Sequence, residues 1–101
     1  MKKFVDFEKS GPLSKVIDQV IGIESAVSPE EADLIITDSE SKALGYLQKT
    51  EKKVVQICFE HRQPMTHIIE DYPDRLRVAD IRTTVSVLAP IIVAIGELVD
   101  K

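Results

Sequence analysis

Ala32-Asp33-Leu34-Ile35-Ile36-Thr37-Asp38-Ser39 sets four residues suited to a buried strand directly before an acidic residue and a helix-capping one. The apolar run from Leu34 is β-branched and too short for a helix, which predicts a central strand covered on both faces. In an open parallel sheet, ligands gather beyond the carboxyl ends of the strands, so Asp38 is expected in that crevice.

Downstream, residues 39–50 read as a helix with Ala43, Leu44 and Leu47 inward, weakened by Gly45. Residues 53–59 form the next strand, whose end runs into Glu60-His61-Arg62-Gln63-Pro64, a second candidate wall of the crevice. Met65, Ile68, Ile69 and Tyr72 have helical spacing and predict a short helix over 64–71. Residues 75–79 alternate charged and apolar, as an edge strand does.

Upstream, residues 2–7 predict a first strand. Ser10 is then a candidate cap, with Pro12 in the first turn of a helix whose stripe is Leu13, Val16, Ile17, Val20 and Ile21. Gly22 follows as a helix stop. Residues 23–27 are a weak second strand. Ser28-Pro29-Glu30-Glu31 has the form of a capping box, with room for about one helical turn before the central strand.

The last segment, 83–101, carries two apolar stripes. Val85, Leu88, Ala89, Ile92, Ile95 and Val99 form one; Val87, Ile91, Ala94 and Leu98 form another on a different side. A helix packed on one sheet needs only one, so the stripe of Val87, Ile91, Ala94 and Leu98 is expected to meet another chain or domain. Pro90 leaves two forms open: a kinked helix beginning near Thr84, or a later start near Ala89. Alternating strands and helices, joined by right-handed crossovers, predict a flavodoxin-like α/β sandwich. Its parallel sheet has five strands in the order 2-1-3-4-5, and its second helix is cut to about one turn.

At 101 residues, the chain is expected to form one domain over 1–101. An apolar fraction of 44% excludes a disordered chain, and a net charge of −4 argues against a nucleic-acid partner. One cysteine and no signal segment place the expectation in a reducing cytoplasm. The last apolar run is too short for a membrane span.

The predicted strand ends bring Asp6 and Glu8, Asp38 and Ser39, Cys58 to His61, and Asp80 with Arg82 toward one crevice. Clustered carboxylates repel unless a cation or protons lie between them, so Asp6, Glu8 and Asp38 are candidate Mg²⁺ ligands. Asp38 is the candidate phosphoryl acceptor; its alternative role is to cap the helix that follows. Asp33-Leu34-Ile35-Ile36-Thr37-Asp38 resembles the third strand of response-regulator receiver domains, whose last aspartate accepts phosphate from a histidine kinase.

That family ends its first strand with an acidic pair, its fourth with a threonine or serine and its fifth with a lysine. Here the fourth strand ends in Cys58-Phe59-Glu60 and the fifth in Ala79-Asp80-Ile81-Arg82. The resemblance therefore implies a pseudo-receiver: not an enzyme and without a required cofactor, acting by docking or dimerisation. Its expected partner is a histidine kinase, another domain of the same regulator or a second copy. An active receiver phosphorylated on Asp38 with Mg²⁺ is the first alternative. Phosphotransfer through Cys58, as in the cysteine-carrying domains of sugar-uptake systems, is the second. His61 and His67 have no nucleophile paired with them by any motif.

Overall fold

Residues 1–8, 17, 23–58, 70–81 and 88–99 are described by the computed structural model of the chain. Five strands, β1 (Lys2–Asp6), β2 (Glu24–Ser25), β3 (Leu34–Thr37), β4 (Lys53–Cys58) and β5 (Leu76–Asp80), form one parallel sheet. Their order is β2-β1-β3-β4-β5, the flavodoxin-like order expected from the sequence. A 3₁₀ turn at Pro29–Glu31 joins β2 to β3, helix α1 (Glu40–Lys49) joins β3 to β4, and helix α2 (Leu88–Val99) follows β5. Of the predicted helix over 64–71 only its end is described, Glu70 and Asp71, both helical, and most of the helix after Ser10 lies outside the described residues.

Every residue of β3 is buried, as its unbroken apolar run requires. Because side chains alternate across a strand, β3 and β4 feed two cores at once. Leu34, Ile36, Val55 and Ile57 point to one face, where Ile17 and the α2 residues Ile91, Ala94, Ile95 and Leu98 cover them. Ile35 and Val54 point to the other, against Ala43 and Leu47 of α1 and Leu76 of β5. The result is a three-layer sandwich whose central strands are shared by both cores.

Packing corrects the expected interface. Ile91, Ala94 and Leu98 are buried against the chain's own sheet, so this stripe is the one α2 needs for its fold. Val87, expected with them, lies outside the described residues, as does any turn of the helix before Leu88. The outward side instead shows Ala89, Ile92 and Val93, with Ile92 51% and Val93 58% exposed. In so apolar a helix, periodicity reveals two stripes but not which one turns inward.

Two other expectations are revised. The second strand pairs only at Glu24 and Ser25, both exposed, and Val27 just beyond is 85% exposed, so it is a short edge. Ser28 makes no side-chain capping bond. The turn after it is closed by backbone bonds from Glu31 N to Ser28 O and from Ala32 N to Pro29 O. A three-residue turn has too few orphan amides for the reciprocal box.

α1 and α2 each end at a basic side chain. Arg75, at the turn before β5, donates to the carbonyls of Leu47, Thr50 and Lys52 and lies over the Tyr72 ring. Lys53, which opens β4, donates to Leu98 O at 2.6 Å. These cations meet unpaired carbonyls and the negative ends of the helix dipoles. Lys3 is wholly buried in β1. Its ammonium donates to Ile23 O at 2.6 Å and to Ser25 Oγ at 3.2 Å, tying the short edge strand to the sheet.

Candidate functional site at the carboxyl end of the sheet

Register aligns Asp6 of β1 with Thr37 of β3, and Thr37 with Gln56 of β4. Since residues in register share a face, this polar row lies on the α1 side, at the end of the sheet where α1 begins. Thr37 is wholly buried and its hydroxyl accepts from Ser39 N at 3.2 Å. Ser39 caps α1, its side-chain oxygen accepting from Lys42 N at 3.3 Å. The cap is therefore Ser39 and not Asp38. Asp38, half-buried, accepts from the backbone amide of Glu8 at 2.8 Å and so fastens the chain leaving β1 to the end of β3.

Asp6 is engaged by α1 instead. Lys42 Nζ donates to Asp6 Oδ1 at 2.7 Å, and the Tyr46 hydroxyl donates to Oδ2 at 2.6 Å. Lys42 and Tyr46 stand four residues apart on one helical face, which is why both reach the same carboxylate. Burial pushes the Asp6 carboxyl up, but the hydrogen bonds from Lys42 and Tyr46 and the lysine's charge outweigh it, leaving the pKa below 3.8. The hydrogen bond to Asp6 raises Lys42 against its own desolvation, with the charges of Asp6, Glu8 and Asp38 adding to the rise. Tyr46 is pushed up to about 12 by burial, then by its bond to Asp6 and the charges of Asp6 and Glu30.

The expected metal set is not assembled. Among the described residues no three His, Cys, Asp or Glu side chains are grouped to hold a metal ion. Lys42 pairs with Asp6 at 2.7 Å and so sets a positive charge among the acids for which Mg²⁺ was a candidate partner. Lys42 and Tyr46 are the site residues that the sequence reading missed; their four-residue spacing opposite a strand-end acid was the available signal.

Of the remaining candidates, Cys58 is buried at the end of β4, in register with Asp80 of β5. Gln56 is only 7% exposed, and its Oε1 accepts no hydrogen bond among the described residues. Glu60, His61, His67 and Arg82 lie outside the described residues. Within the bonded trio, Asp6 is held ionised and Tyr46 protonated, so neither exchanges a proton near neutrality.

Comparison with protein families, curated proteins and solved structures found no significant match to the chain. No described helix is long and apolar enough to cross a membrane.

Proposed function

We propose that the chain is a receiver-like docking module, working by protein–protein contact in signal transduction and not by phosphoryl transfer. The observation that carries this reading is the closed salt bridge at the end of β1. Both oxygens of Asp6 are occupied by Lys42 and Tyr46, so the acid best placed to share a cation with Asp38 is already neutralised. The exposed side of α2, with Ala89, Ile92 and Val93, is the docking surface in this reading. A kinase, another domain of a larger regulator, or a second copy would meet it there, in the cytoplasm.

An amide NMR titration with Mg²⁺, followed by a beryllofluoride phosphate mimic, tests the reading. The expected result is unmoved signals at Asp6, Glu8 and Asp38. Shifts clustered at those three residues would replace it with an active receiver phosphorylated on Asp38.

A further inference from the structure

We draw no further inference here: the strongest candidate, the outward surface patch of α2 formed by Ala89, Ile92 and Val93, belongs to the docking surface already described, and nothing in the structure shows what covers it.

Discussion

Asp6 shows how one residue's surroundings fix its titration and its use. Its pKa is depressed in the fold, so its contribution to stability is present above the unfolded value near 4 and is lost as pH falls through the folded one. Lys42 and Tyr46 are raised, so their contributions are complete below about pH 10 and fade as pH climbs beyond it. Absorbance titration follows the Tyr46 phenol directly. Tyr46 should ionise at about 12, and Asp6→Asn should bring that phase down toward 10. An unchanged late phase in the variant would show that Asp6 does not hold the phenol. Gln56 offers a second test at this scale. Its buried Oε1 has no partner among the described residues, so Gln56→Met, which keeps the volume and removes the orphan, should stabilise the chain by about 1 kcal/mol in urea denaturation.

Elements differ in how openly the sequence declared them. β3 was legible because a strand buried on both faces must be apolar throughout, and Leu34, Ile35 and Ile36 leave no alternation to misread. α1 was legible from Ser39 onward for a local reason, its capping serine. β2 was legible in place but not in length, because an exposed two-residue edge needs no apolar pattern, and Val27, read as strand, stands in solvent. The buried Lys3 and the grip of Lys42 and Tyr46 on Asp6 depend on partners 20 to 40 residues away, which local spacing does not announce. Arg75 is the same kind of long-range element, closing the end of α1 from beyond β4. Arg75→Ala would leave the carbonyls of Leu47, Thr50 and Lys52 without that donor, and should cost about 2 kcal/mol. The urea midpoint should fall with an unchanged slope. Arg75→Lys should recover little, since one ammonium cannot reproduce the forked contacts.

At the scale of the whole molecule, the two cores are two sides of the same strands. Neighbouring residues of β3 and β4 belong alternately to the α1 core and the α2 core, so neither helix can lose its packing without exposing strands that the other also covers. That geometry predicts a single cooperative unfolding transition. Both tyrosines, Tyr46 and Tyr72, pack against the α1 core, and the chain has no tryptophan, so tyrosine fluorescence reports on that side alone. Ile91→Ala, in α2 on the opposite face, removes a wholly buried side chain and should cost about 2–5 kcal/mol. If the sheet couples the cores, the tyrosine-detected midpoint must move as far as the midpoint from far-ultraviolet circular dichroism, although no tyrosine belongs to the α2 core. A tyrosine transition that stayed in place while the dichroism shifted would mean that α2 detaches by itself. The sandwich would then be two half-domains sharing a sheet.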